Sequence, residues 1–262
     1  SRLPMKTPRL TLEPRIHHAG GEEGVGGPTV KLWRMQHYFP NIAKDYNIIY
    51  SVSARISADV CRIAQRRGVK IVCHVNSVFH RAYRFNYQEL NEPIAAVHGM
   101  ADHVVYGSQF AKEGATRFLG PVPNSHTIIC NAVDLEHFCP SPVPLDTDRF
   151  HILAIGVHYI RHRLETLIWA IPHVQKMYPQ ARLIIAGPLK TGQGVFDCGT
   201  ETIQGILRHA GVTQVEFINN YTQNEAPRIY GKGDVIVHMK HMDWTPNTVI
   251  EGMACGLPTV HA

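Results

Sequence analysis

The stretch Asp243-Trp-Thr-Pro-Asn-Thr-Val-Ile-Glu251-Gly-Met-Ala-Cys-Gly-Leu-Pro-Thr-Val260 decides how this chain is read. Two carboxylates, Asp243 and Glu251, bracket a Thr-Pro-Asn-Thr helix start. Thr245 is placed to cap that helix and Pro246 to take its first position. Thr248 and Glu251 have the spacing of a capping box, and Asp243 fits an Asx turn. Each of these readings accounts for one piece of the string and leaves the rest unexplained. Taken whole, the string is a seat for a phosphorylated sugar compound. A helix start exposes unpaired backbone N–H groups, here at Asn247 and Thr248, and these suit a phosphate. Carboxylates on either side accept hydrogen bonds from sugar hydroxyls.

Further upstream, Gly156-Val-His-Tyr-Ile-Arg161-His162-Arg163 follows an apolar run and opens an amphipathic one. Cations at a helix N-terminus face the wrong end of the helix dipole, at a cost of about 0.3–1 kcal/mol each when exposed. A bound anion reverses that penalty; a solvated loop with its long side chains bent away avoids it. The glycine-rich turn Gly24-Val-Gly26-Gly27-Pro28 precedes another helical pattern. Glycines without Cβ let backbone N–H groups approach a ligand, though the spacing is neither a dinucleotide fingerprint nor a Walker loop. His74 is expected at the C-terminal end of a strand, the edge where open parallel sheets gather ligands.

Around these anchors, short β-branched runs alternate with amphipathic segments. Strands are expected at 47–52, 70–75, 103–106, 127–130, 151–156, 182–186, 215–218, 234–238 and 258–261, with a first strand at 9–13. Helices are expected at 29–37, 54–65, 109–118, 163–178, 201–208 and 247–255. Continuous apolar strands alternating with helices predict an α/β protein of doubly wound parallel sheets. The proline-rich run after Cys139 reads as a linker. It separates a Rossmann-like domain over 1–139 from a second over 150–262, with the linker at 140–149.

The chain has 262 residues, 44% of them hydrophobic and 18% charged, which predicts a globular protein with sizeable cores. A net charge of +5 suits an anionic small molecule or an acidic membrane surface. It is too small, and too poor in aromatic-basic interleaving, for a nucleic-acid binder. The six cysteines form no C-x-x-C pair and read as reduced, mostly buried thiols of a cytoplasmic protein. No apolar run approaches the length of a membrane span. His238, His241 and Asp243 have an H-x-x-H-x-D spacing open to a metal reading, but they follow a strand and lack the helical H-E-x-x-H pattern.

The terminal string resembles the Glu-x7-Glu signature of retaining GT-B glycosyltransferases of family 4, with Asp243 as the first acid and Glu251 as the second. Further stretches match in order. Ala101-Asp-His-Val-Val-Tyr-Gly-Ser108 resembles the family's "ADHVI..S", and Asn131-Ala-Val-Asp134 through Pro140 resembles "NGVD...F.P". The resemblance covers nearly all of the chain from Gly24 onward. It implies two Rossmann-like domains, a nucleotide-diphosphate sugar donor (UDP-, GDP- or ADP-sugar), and a sugar, lipid or small-molecule acceptor. It implies no bound metal or cofactor, and it allows peripheral contact with the inner face of a membrane.

By the same resemblance, Glu251 holds the nucleotide ribose and Asp243 the transferred sugar. The backbone amides of Asn247 and Thr248 meet the diphosphate, with Thr245 a further substrate-binding candidate, Gly26 and Gly27 close over it, and His74 works near the anomeric carbon. The family's diphosphate-clamping Arg and Lys fall on Val157 and His162, so Arg161, His162 and Arg163 are the candidate replacements. That departure keeps two alternatives open: a catalytically impaired nucleotide-sugar-binding relative, or a GT-B sugar-nucleotide epimerase. The chain opens with Ser1 and stops at Ala262 just after an expected strand, so it reads as a fragment lacking its C-terminal segment.

Overall fold

A computed structural model describes residues 13–21, 27–123, 125–141, 148–240 and 243–261. The architecture is two all-parallel α/β halves. The first sheet holds β1 (Ile16–His17), β2 (Ile48–Val52), β3 (Lys70–Val75), β4 (His103–Tyr106) and β5 (His126–Ile128), adjacent in that order. The second holds β6 (Phe150–Ile155), β7 (Ala181–Ala186), β8 (Val215–Ile218), β9 (Val235–His238) and β10 (Thr259–His261), in the order β10-β9-β6-β7-β8. The reversal of strand order typical of a doubly wound sheet lies between β6 and β9, where ligand crevices form.

The expected strand over 9–13 falls mostly outside the described residues; the first described strand, Ile16–His17, pairs with β2. The other expected strands stand within a residue or two of their places; β3, β4, β6 and β7 do so as mostly buried apolar runs, as expected of parallel strands covered on both faces. Ile49, Ile71, Cys73, Val75, Val104 and Tyr106 form the core of the first half. Leu153, Ile155, Ile184, Ala186 and Ile236 pack one face of the second sheet, and Ile152, Ala154, Leu183 and Ile185 the other.

Helices fill the intervals: α1 (Gly27–Tyr38), α2 (Ala58–Gln65), α3 (Tyr87–Met100), α4 (Gln109–Leu119), α5 (Arg161–Met177), α6 (Thr200–Ala210), α7 (Ala226–Tyr230) and α8 (Asn247–Ala254). Helix α3 was not expected, and it carries Pro93 inside it, which removes one backbone hydrogen bond. Burial of Asn91, Ile94, Val97 and His98 along one side holds it despite the lost hydrogen bond. Ser108 caps α4, its hydroxyl accepting from Ala111 N at 2.9 Å.

Side chains of the second half also enter the first. Trp244, on the loop between β9 and α8, is 6% exposed and belongs to the core of the first sheet. Its indole N–H donates to Val78 O at 3.2 Å, and its ring lies against Phe110 at 4.8 Å. A Cβ on Gly114 would stand 2.1 Å from the indole, so only glycine leaves room in α4 for this side chain. Of the linker expected at 140–149, residues 142–147 lie outside the described residues, and Phe138, just before it, packs in the core of the second half.

Candidate active site

The C-terminal ends of the strands of both sheets converge on a cavity of about 430 Å³. Its walls come from the loops after β3 (Asn76, Ser77), β6 (Gly156 to Tyr159) and β9 (Met239, Lys240, Asp243), from the start of α1 (Gly27), and from the tip of α8 (Thr245 to Thr248). Gly156 has φ +130°, and the space where its side chain would stand faces the Thr248 methyl at 3.6 Å. The left-handed turn brings the β6 loop close against the α8 tip.

Asp243 and Glu251 both line this cavity, but their surroundings differ. Asp243 Oδ2 accepts from His238 Nε2 at 3.0 Å and from Lys240 Nζ at 2.8 Å. Burial alone would raise its pKa; the His238 hydrogen bond and the Lys240 charge outweigh that and bring it down to about 2. Glu251 is 4% exposed. Its Oε1 accepts from Arg34 Nη2 at 2.9 Å and its Oε2 from the Tyr230 hydroxyl at 3.0 Å. Burial pushes its pKa above the ordinary value, against the opposing pull of Arg34 and Tyr230.

Helix α8 begins at Asn247, with Pro246 in the capping position, one residue later than the expected Thr245 cap. The Thr245 hydroxyl instead donates to Trp244 O at 2.6 Å. Nor do Thr248 and Glu251 make a capping box, since the helix starting at Asn247 puts Glu251 beyond its third position and the acid turns to Arg34. Ile250 N bonds Pro246 O, which leaves the N–H groups of Asn247, Thr248 and Val249 as the helix donors without an intrahelical acceptor. Asn131 buttresses this tip from the first half, its amide donating to Asn247 Oδ1 at 2.7 Å and to Thr245 O at 3.1 Å.

The three expected phosphate-binding residues separate. Arg163 lines the cavity, its guanidinium 5.5 Å from the Tyr83 ring centroid and 5.2 Å from that of Tyr159. Arg161 and His162 are not among the lining residues. Arg161 pairs with Glu165 at 3.4 Å on the same helix. Helical spacing turns neighbouring residues to different faces, so at most one of such a triplet points inward. Tyr83 and Tyr159 join hydroxyls across the two halves beneath Arg163. Of the glycine turn, Gly27 lines the cavity while Gly26 lies outside the described residues.

The surroundings of His74 differ from those of the two acids. It sits at the end of β3 as expected, but it is 4% exposed and does not line the cavity. Lys31 Nζ stands 2.6 Å from its Nε2, and Tyr50 OH bonds its Nδ1. An ammonium can only donate, so Nε2 accepts and the neutral ring carries its proton on Nδ1. Burial first, and then the Lys31 charge, bring the His74 pKa down to about 3. The ring is therefore a neutral acceptor already in use.

Sequence reasoning missed Lys31 and Arg34, which both reach the site from α1. Lys31 also donates to Asn131 Oδ1 at 3.0 Å, and burial lowers its pKa to about 8. Their i,i+3 spacing just after the glycine turn was the available signal, since such residues share a helix face. Among the described residues no group of His, Cys, Asp and Glu is placed to hold a metal ion. His241 lies outside them.

The family model described as glycosyl transferases group 1 matches residues 149–262. The second half of the chain is a glycosyl transferases group 1 domain. Its site elements, from the β6 loop to the α8 tip, fall within that domain. The chain is similar to the gpi3 subunit of phosphatidylinositol N-acetylglucosaminyltransferase from Schizosaccharomyces pombe, 23% identical over 156 residues. That match covers 60% of this chain and 33% of the relative, so the chain spans about a third of that protein. Among solved structures it resembles HepE of Anabaena in complex with UDP and glucose, with TM-score 0.73, 15% identity, and 95% and 80% of the two chains covered. It also resembles sucrose-phosphate synthase of Thermosynechococcus elongatus, with TM-score 0.67, 19% identity, and 89% and 59% covered. These likenesses establish the two-halved GT-B fold around the group 1 domain. Among the described residues no helix is long and apolar enough to cross a membrane.

Proposed function

We propose that this chain transfers a sugar from a nucleotide-diphosphate sugar to an acceptor hydroxyl, with retention of anomeric configuration. The observation that carries the reading is the convergence of Asp243, Glu251 and the open N–H groups of α8 on one cavity between the halves. In this reading Glu251 takes the ribose hydroxyls and Asp243 those of the transferred sugar. The N–H groups of Asn247 and Thr248 meet the diphosphate, and Arg163, held over two tyrosine faces, neutralises it. The acceptor oxygen bonds the anomeric carbon as the bond to the diphosphate breaks. The bonding pair leaves with the diphosphate, and the acceptor proton passes to a phosphate oxygen. Stabilising that departing charge supplies most of the rate enhancement.

A second cavity of about 270 Å³, lined by Pro28, Val52, Arg55, Phe79, Leu90 and Ile94, among others, shares Pro28 and Ser77 with the first. We assign it to the acceptor. A lipid acceptor, of the kind named for the S. pombe relative, would bring the chain to the inner face of a membrane in peripheral contact.

Thermal-shift screening against UDP-, GDP- and ADP-sugars tests the donor assignment. A ligand at a hundredfold its Kd stabilises by about 2.7 kcal/mol. At least one donor should raise the melting temperature, and Glu251→Ala should abolish the shift. No response to any of the three overturns the reading. Val157 and His162, standing where the family has its clamping cations, favour a second reading: a relative that binds donor without turning it over. Donor bound but neither hydrolysed nor transferred would select it.

A further inference from the structure

The cavity's two acids differ in where their partners come from. His238 and Lys240, which hold Asp243, lie in the same half, whereas Glu251 is held across the cleft by Arg34. From the first half, Arg34 Nη2 donates to Glu251 Oε1 at 2.9 Å and to Gln223 Oε1 at 3.1 Å. Its guanidinium carbon lies 6.0 Å from the Phe138 ring centroid. Arg34 is therefore fixed on one side by the second half and presents its charge to a carboxylate with almost no access to water.

We infer that Arg34 is the positioning residue that orients the Glu251 carboxylate for the ribose of the bound nucleotide. The inference rests on the reading that Glu251 takes the ribose hydroxyls. Each Glu251 oxygen has one protein donor, from Arg34 or Tyr230, and a carboxylate oxygen accepts more than one. Two hydroxyls of a ribose complete the set. The contact also makes nucleotide seating depend on both halves, because the acid and its cation belong to different sheets.

The titratable groups that act on Glu251 are Arg34 from α1, His137 from the turn after β5, Tyr221 from the loop after β8, Tyr230 from α7 and Cys255 at the end of α8. Arg34 is the strongest of the influences that oppose the burial penalty. Removing it leaves the carboxyl more readily protonated, so the ribose contact should fade as pH falls and return as pH rises.

The test is isothermal titration of the full chain from about pH 6 to 8.5, using whichever of UDP, GDP and ADP binds and its 2′,3′-dideoxy analogue. A pair of hydrogen bonds to a charged group corresponds to roughly tenfold or more in affinity. Wild type should prefer the ribose form by that factor at every pH. Arg34→Gln should lose the preference at the acid end and recover part of it at the alkaline end. Arg34→Lys, which keeps a cation, should show an intermediate preference with little pH dependence. Equal losses for both analogues at all pH values in Arg34→Gln would reduce Arg34 to a structural role and overturn the inference. Glu251→Gln separates the two levels. If it keeps the ribose preference, the ribose reading itself fails. If it loses the preference while Arg34→Gln keeps it, only the role of Arg34 fails.

Discussion

The segment around Asp243 and the segment around Glu251 are eight positions apart on either side of one helix start, yet the fold treats them oppositely. Asp243 carries a pKa near 2 because His238 and Lys240 answer its charge from within its own half. Glu251 is raised by burial and depends on a cation from the other half. Conversely, the loop beside Asp243 is anchored in the first half through Trp244, an apolar contact, while Glu251 meets it through an ion pair. The lesson is that one short string can be joined to its partner half by two different forces. Burial of a large aromatic mainly sets stability; a desolvated charge pair mainly sets the state of the site.

The harshest way to break this comparison is Trp244→Ala. Truncating a buried tryptophan costs about 3–5 kcal/mol. Equilibrium urea unfolding should show a loss of that size, with Asp243 and Thr245 released from their places. A loss below about 1 kcal/mol would mean the indole is no anchor. Next in size is the acid titration of Asp243. Its pKa is depressed, so its contribution is present above the ordinary value of 3.8 and disappears as pH falls toward about 2. It amounts to on the order of 2 kcal/mol. The Glu251 pKa is raised, so its ionisation acts with the opposite sign, and stability associated with it declines as pH rises past the ordinary value. Unfolding curves between pH 2 and 4 should be steeper in wild type than in Asp243→Asn; equal slopes would remove the asymmetry.

The smallest effects sharpen the cation assignment. Arg163→Ala should weaken binding of the nucleoside diphosphate about tenfold while leaving nucleoside binding nearly unchanged, as expected of a charge-assisted phosphate contact. Arg161→Ala removes a half-exposed i,i+4 pair with Glu165 and a charge interaction with Asp197. It should change stability by less than about 1 kcal/mol and donor affinity not at all. The opposite ranking of the two variants, read by calorimetry, would return the phosphate role to Arg161.

Much of this was legible along the chain. The apolar runs at 70–75 and 103–106 coincide with observed strands because burial on both faces leaves a local imprint. The cavity position of the Asp243-to-Glu251 string was legible too, since a helix start between two acids is a local pattern. Other features were not. Helix α3 was not expected, and the local penalty of Pro93 inside it is outweighed by burial that only neighbouring elements supply. His74 read as a strand-end candidate, but its lone pair is taken by Lys31, 43 positions away in sequence.

The amino-acid sequence alone determined the alternation of parallel strands and helices and the local chemistry of the α8 tip, because both arise from residues within a few positions of each other. Tertiary structure alone decided which cations serve which acids. Arg34 meets Glu251 across 217 positions, and Trp244 meets Val78 across 166. Such pairings are set by how two sheets pack, a property that no local spacing of residues encodes.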